Sequence, residues 1–304
     1  MAVLNPYVLV FASCLALILV MGLSANLLVI SLFSKRKSRR NHLDVLLLSM
    51  TLADLLTLLL VPLTLHSAVS YSWPLGDTSC KVYQFLLAFG LSASTYSLCA
   101  VSVTRAVIIT NPYRPPAADL LLLLLVLVWA LSFFISLPLR MFATKESVES
   151  SSFCLPTVQE HHYQVVLGQF LLFYLLPMAV IAISSAWLSL YLHRCPVMST
   201  SSTRNTRRAL LMVFMAAASF SSCWLPGYVL ELCVFLGLYR HGAAWDGFYF
   251  LCTVLQYVHP CINPVIYVLL SKRYESLWRN RVQPQVISAT MDSLSAKHSL
   301  GTTA

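Results

Sequence analysis

Apolar runs separated by short polar stretches repeat along almost the whole chain. Seven reach membrane-spanning length, at 7–34, 43–70, 82–110, 119–140, 163–192, 208–236 and 246–270. Each meets the ~20 residues that a helix needs to cross a bilayer core. Backbone groups in lipid must bond within their own segment, so the pattern predicts helices rather than open strands. The longest connection, about 141–162, contains FATKESVESSSFCLPTVQEHH and is predicted to fold over the bundle. After Leu270, SKRYESLWRN puts Tyr274, Leu277 and Trp278 on one side, which predicts a short amphipathic helix at the inner membrane face. The predicted fold is therefore an all-α membrane protein, a seven-transmembrane helix bundle with a short amphipathic eighth helix. One domain covers 1–283, and a disordered Ser/Thr-rich cytoplasmic tail covers 284–304.

Composition agrees: the chain is 58% hydrophobic and only 10% charged, with mean hydropathy +0.76. A soluble chain is about a quarter charged. The net charge of +9 raises the question of nucleic acid, but the bases are segregated. KRKSRR (35–40) follows the first span directly, and no basic region precedes that span. This predicts an uncleaved anchor with the N-terminus outside. With that orientation 16 of the 20 Lys and Arg lie inside, so the charge reports topology and no nucleic-acid partner is predicted.

Of nine cysteines, Cys80 and Cys154 alone fall in the outer, oxidising layer. A disulfide between them would pin the long loop across the top of the third span; the alternative is two free thiols. No metal-ligand spacing, Gly-rich phosphate loop, metalloprotease His pair or nucleophile elbow is present, and the chain is not predicted to be an enzyme.

An ionisable residue inside a span costs at least ~2.5 kcal/mol, so each is a functional candidate. Asp54 lies mid-span, and Arg105 closes the inner end of the third span, where water and headgroups are predicted to solvate it. Asn26 and Asn263 also read as interhelical hydrogen-bonding residues, and Asp54 as a neutral structural acid. Prolines at 62, 138, 177, 226, 260 and 264 permit kinks.

GLSANLLVI in span one, LADLL in span two, Trp73 then Cys80, SVTRAV, Trp129, Pro177, CWLP (223–226) and NPVIY (263–267) occur in order. Together they resemble a rhodopsin-like (class A) G-protein-coupled receptor from residue 7 to about 283. SWPLGDTSCK, CAVSVTR and CWLPGYVLELCVF look most like the peptide-receptor branch, near galanin and kisspeptin receptors.

The resemblance implies a multi-pass plasma-membrane receptor. It would bind an extracellular peptide and signal to heterotrimeric G proteins, with tail serines and threonines offering arrestin a docking strip. In the family, helix six swings outward and the arginine matching Arg105 meets the G protein. Trp224, Asn263, Pro264 and Tyr267 match its other activation residues. The usual Asp-Arg-Tyr is here Thr104-Arg105-Ala106, and helix six, TRNTRRALL, lacks an acidic partner. Loss of the acid predicts elevated ligand-independent signalling that Thr104→Asp lowers. The opposite outcome is a weakly coupling decoy, scavenger or heterodimer partner. Asp54, Ser94 and Asn263 match the family's sodium ligands, although His259 and Pro260 replace small polar residues there. No other cofactor is implied.

Helical spacing places Gln84 and Leu87 on the inward face of span three, above Ser94 and Arg105. Trp224, Tyr228 and Glu231 align as i, i+4 and i+7 on span six; Gln169 on span five and Tyr249, Gln256 and Tyr257 on span seven face the same space. These nine are the candidate ligand residues. Leu87 stands where amine receptors carry an aspartate and Tyr257 where opsins carry lysine, which leaves a peptide, or else a lipid or small metabolite. A transporter or channel would need more mid-membrane charge than Asp54.

Overall fold

A computed structural model describes residues 6–34, 42–111, 117–148, 151–155, 162–194, 200–238 and 242–270. Helices occupy every apolar run. The first is α1 (Pro6–Ser34); the second divides into α2 (His42–Leu58) and α3 (Val61–Ser70); the next two are α4 (Asp77–Thr110) and α5 (Ala118–Phe142). The fifth opens as α6 (His162–Gln169), passes through a π-helical segment (Phe170–Leu175) and continues as α7 (Leu176–Arg194). Helices α8 (Thr200–Phe235) and α9 (Ala243–Leu270) complete the bundle. Six of these spans are long and apolar enough to cross a membrane, and α9 has the length. The chain is a multi-pass membrane protein. The expected eighth helix and the 284–304 tail lie outside the described residues.

Two helices begin a turn or more before their apolar runs, α4 at Asp77 rather than 82 and α8 at Thr200 rather than 208. Hydropathy marks the lipid-length part of a helix and misses a polar first turn. Here Asp77 and Lys81 form an i,i+4 ion pair at 2.8 Å on the surface of that turn.

The long connection adds a small hairpin to the helical bundle. It contains an antiparallel pair, β1 (Thr144–Val148) and β2 (Ser151–Leu155), in register Lys145 to Cys154. Five-residue strands lie below the length at which hydropathy patterning is informative.

Two prolines shape the spans. Pro62 sits in the first turn of α3, where its missing N–H is tolerated, and the chain breaks between α2 and α3 just before it. Pro177 lies two residues past the end of the π-helical segment. That irregular turn releases the Leu172 carbonyl, which accepts a hydrogen bond from the Tyr96 hydroxyl at 2.7 Å. A freed carbonyl within a span needs such a partner.

Helix α4 is the axis of the bundle: it packs against α2, α5 and α7, and Gly90 to Ser102 is buried throughout. This burial explains its small, hydroxyl-rich sequence, since close helix approach in lipid favours small residues. Its hydroxyls reach every neighbour: Ser97 to Ser49 on α2 at 3.1 Å, Ser92 to Ser136 on α5 at 3.4 Å, and Ser102 to Ser184 on α7 at 2.6 Å. Trp129 Nε1 on α5 also donates to Ser49, at 3.0 Å. The main apolar core, around Leu46, Leu98, Val213 and Ile266, lies toward the Arg105 end.

Candidate functional site

At the other end the helices diverge around a cavity of about 580 Å³. Strand β2 closes over it through Phe153 and Cys154. The hairpin is tied down at three points: the Cys80–Cys154 disulfide, the Lys145 amide donating to Asp77 Oδ1 at 2.9 Å, and the Trp73 amide donating to Ser152 O at 2.7 Å.

All nine candidate ligand residues line this cavity: Gln84 and Leu87 from α4, Gln169 from α6, Trp224, Tyr228 and Glu231 from α8, and Tyr249, Gln256 and Tyr257 from α9. Several also hold the bundle. Gln84 Nε2 donates to the Cys154 carbonyl at 3.2 Å, and Tyr228 OH to the Gln169 carbonyl at 3.4 Å. Tyr257 forms a hydroxyl cluster with Thr64 at 2.9 Å and Tyr83 at 3.1 Å, joining α3, α4 and α9. Tyr83 and Thr64 were missed by the sequence reading. The signal for Tyr83 was its i,i+4 spacing from Leu87; Thr64, one hydroxyl in an apolar run, carried none.

Trp224 lies at the inner end of the cavity. Its indole N–H is buried without a hydrogen-bond partner, and its ring packs near Phe220, which meets His259 edge-on at 5.3 Å. Gly227, one turn outward, admits Gln256: a Cβ there would stand 2.6 Å from the Gln256 amide nitrogen. Among the described lining residues Glu231 carries the one formal charge, and no Lys, Arg or His lines the cavity.

Deeper in the bundle Asp54 is 1% exposed. Its Oδ1 accepts from Ser94 Oγ at 2.6 Å and its Oδ2 from Asn263 Nδ2 at 3.0 Å, which ties α2, α4 and α9 together. Asn26 Nδ2 on α1 donates to the Gly22 and Pro260 carbonyls at 2.9 and 3.0 Å, so its interhelical role is realised.

Arg105 departs from expectation. It is not solvated at the membrane face but 8% exposed, beneath α8. Its Nη1 donates to the Ala209 carbonyl at 3.2 Å and its Nη2 to Met212 Sδ at 2.8 Å. Its partners Ala209 and Met212 lie within the apolar run of α8, so the burial reflects how closely α8 packs on the inner end of α4, which hydropathy does not encode. Thr104 Oγ1 is buried beside it without a partner, and Tyr267 OH donates to Met50 Sδ at 3.4 Å.

The sequence profile described as "7 transmembrane receptor (rhodopsin family)" matches residues 25–267. The chain belongs to that family. This receptor is 27% identical to galanin receptor 2a of Danio rerio over 308 residues, covering 93% of this chain and 85% of the relative. It is 28% identical to galanin receptor type 2 of Homo sapiens (90% and 73% covered) and 26% identical to neuropeptide Y receptor type 1 of Xenopus laevis (89% and 80%). These relatives are receptors and not enzymes, and so is this chain.

The sodium expectation meets a poor fit in this receptor. Both carboxylate oxygens of Asp54 already accept from donors, and Asn263 turns its amide nitrogen, not its oxygen, toward them. One turn along α9, His259 and Pro260 supply no side-chain oxygen, whereas a hard cation wants a shell of about six oxygens. As arranged, Asp54 is held by hydrogen bonds from two other helices.

The disulfide closes a 74-residue separation and anchors the strand over the cavity. Cys154→Ser is expected to destabilise the receptor by about 2–4 kcal/mol. A lowered melting temperature of the purified protein in detergent, absent for Cys14→Ser, checks this.

Proposed function

We propose that this receptor resides in the plasma membrane with its N-terminus outside, binds an extracellular peptide in the cavity, and activates heterotrimeric G proteins when α8 moves away from Arg105. The observation that carries the reading is the pairing of two sites on the same helices. A cavity lined by α4, α8 and α9 lies at one end, and an arginine of α4 bonded to α8 lies at the other. A ligand that shifts α8 at Trp224 shifts the helix that covers Arg105. Similarity to galanin and neuropeptide Y receptors supports a peptide as the ligand class. The cavity holds one end of a peptide, and the hairpin gives the remainder a surface.

Lining chemistry narrows that end. Among the described lining residues the charge is the carboxylate of Glu231, which favours an ammonium or guanidinium over a carboxylate, with the amide oxygens of Gln84, Gln169 and Gln256 as further acceptors. A peptide library scored against a panel of G-protein activation sensors tests the proposal. Cationic peptides are expected to activate, with Glu231→Gln weakening them about tenfold or more, the loss of one charge-assisted contact. Activation by a lipid or metabolite alone would overturn the peptide class. Silence of every G-protein sensor under every ligand would overturn coupling and favour the decoy reading.

A further inference from the structure

Two donors of the Arg105 end are met by sulfur rather than by acid. Arg105 Nη2 donates to Met212 Sδ on α8 at 2.8 Å, and Tyr267 OH on α9 donates to Met50 Sδ on α2 at 3.4 Å. Both methionines are buried, Met50 at 1% and Met212 at 4% exposure, within the same core cluster. The adjoining stretch of α8, TRNTRRALL, has no carboxylate, and the second acceptor for the guanidinium is the Ala209 carbonyl of the same helix. Among the described residues both hydrogen bonds of Arg105 therefore end on α8, and both break together if that helix leaves.

We propose that Met212, assisted by Met50, is a positioning residue that holds the Arg105 end of this receptor closed, standing in for the missing acid. A buried guanidinium without counter-charge is costly unless its donors are hydrogen-bonded. A thioether is a weak, neutral acceptor on a flexible stem. It satisfies the donor without an ion pair that must be separated when the helices part. The closed state so held is shallower than one held by a carboxylate, and the balance is set by methionines rather than by a titratable group. Met50 adds the same restraint on α9 through Tyr267. The proposal rests on the assignment of Arg105 as the contact uncovered for a G protein.

The alternative, that these methionines merely pack, predicts that leucine of similar volume changes little. Spin labels placed by unnatural amino acids at Asn111, the exposed residue that ends α4, and at exposed Arg207 on α8 report the opening of this end in the purified receptor in nanodiscs. Met212→Leu is expected to raise the long-distance population about three- to tenfold, the loss of one hydrogen bond to a charged donor. Met212→Gln, which restores an acceptor at similar reach, is expected to return it toward wild type. Met50→Leu moves in the same direction as Met212→Leu. Met178→Leu serves as the packing control, because its sulfur accepts from Ser221, remote from Arg105. Distances for Met212→Leu and Met50→Leu indistinguishable from wild type overturn the proposal, as does an equal rise in Met212→Gln and Met178→Leu. Opened variants that activate no G protein leave the methionine restraint standing and overturn the coupling assignment. Unchanged distances with Arg105-dependent G-protein activation do the reverse.

Discussion

Replacing Gly90 by leucine is expected to remove the folded receptor from the cell surface, by tenfold or more at equal synthesis. Gly90 faces α2 on the most deeply buried part of α4. A Cβ at this position would stand 2.6 Å from Thr57 Oγ1 and 3.2 Å from the Ala53 carbonyl. The hydroxyl can rotate, although it already donates to that same carbonyl at 3.3 Å. The carbonyl cannot step aside without moving α2. One turn along α4 comes Ser94, whose 2.6 Å bond to Asp54 is made across the same interface, and then Ser97 with its bond to Ser49. Pushing the helices apart at Gly90 strains both. Inserting a single methyl into a packed core costs about 1–3 kcal/mol, and a domain has only about 5–15 kcal/mol in reserve. Gly90→Ala is thus expected to lower the melting temperature and leave folded protein, whereas Gly90→Leu does not. Surface labelling in intact cells and thermal melting of the purified alanine variant measure the two. Wild-type surface levels for Gly90→Leu would refute the close approach.

The second large effect concerns the arginine. Arg105→Ala is expected to lower G-protein activation at least tenfold without abolishing binding in the cavity, because it removes the charge proposed to meet the G protein and touches nothing near Trp224. Thr104→Asp acts in the opposite sense on the same group. Thr104 is 4% exposed and its hydroxyl has no partner, so a carboxylate there enters the dry surroundings that hold the guanidinium. An ion pair formed in such a place is stronger than a bond to a thioether or a carbonyl. Basal signalling is expected to fall about three- to tenfold in Thr104→Asp, the equivalent of one charge-assisted contact. The measurement is ligand-independent activation across a G-protein panel at matched surface expression. Equal basal signals in wild type and Thr104→Asp would show that the missing acid has no part in restraint.

Much of the site was legible because membrane helices are regular. Once α4, α8 and α9 are taken as helices, steps of three, four and seven put Gln84, Leu87, Trp224, Tyr228 and Glu231 on faces that can share one space, and the nine candidates do line one cavity. What spacing could not give was the division of labour among them. Tyr257 spends its hydroxyl on Thr64 and Tyr83, residues 193 and 174 positions away, and Gln84 spends its amide on a loop carbonyl. Such contacts depend on the rotation of each helix about its axis, which hydropathy does not encode. The hairpin was hidden for another reason: its strands are stabilised by the disulfide, Asp77 and Trp73 rather than by a pattern of their own.

By itself, then, the sequence determined that this is a seven-span bundle, where the spans lie, which cysteines can pair, and that one arginine and one aspartate sit where lipid would forbid them. Those are consequences of solvent: apolar length, basic flanks and buried charge obey the bilayer, whatever the neighbours. Only the tertiary structure decided what those charges touch. Asp54 proved to be held by Ser94 and Asn263, donors from two other helices. Arg105 proved to lie beneath α8, against a carbonyl and a sulfur, rather than in water. A methionine in an apolar helix looks the same in sequence whether it fills a gap or accepts a bond, since the difference is a sulfur's distance from a nitrogen on another helix.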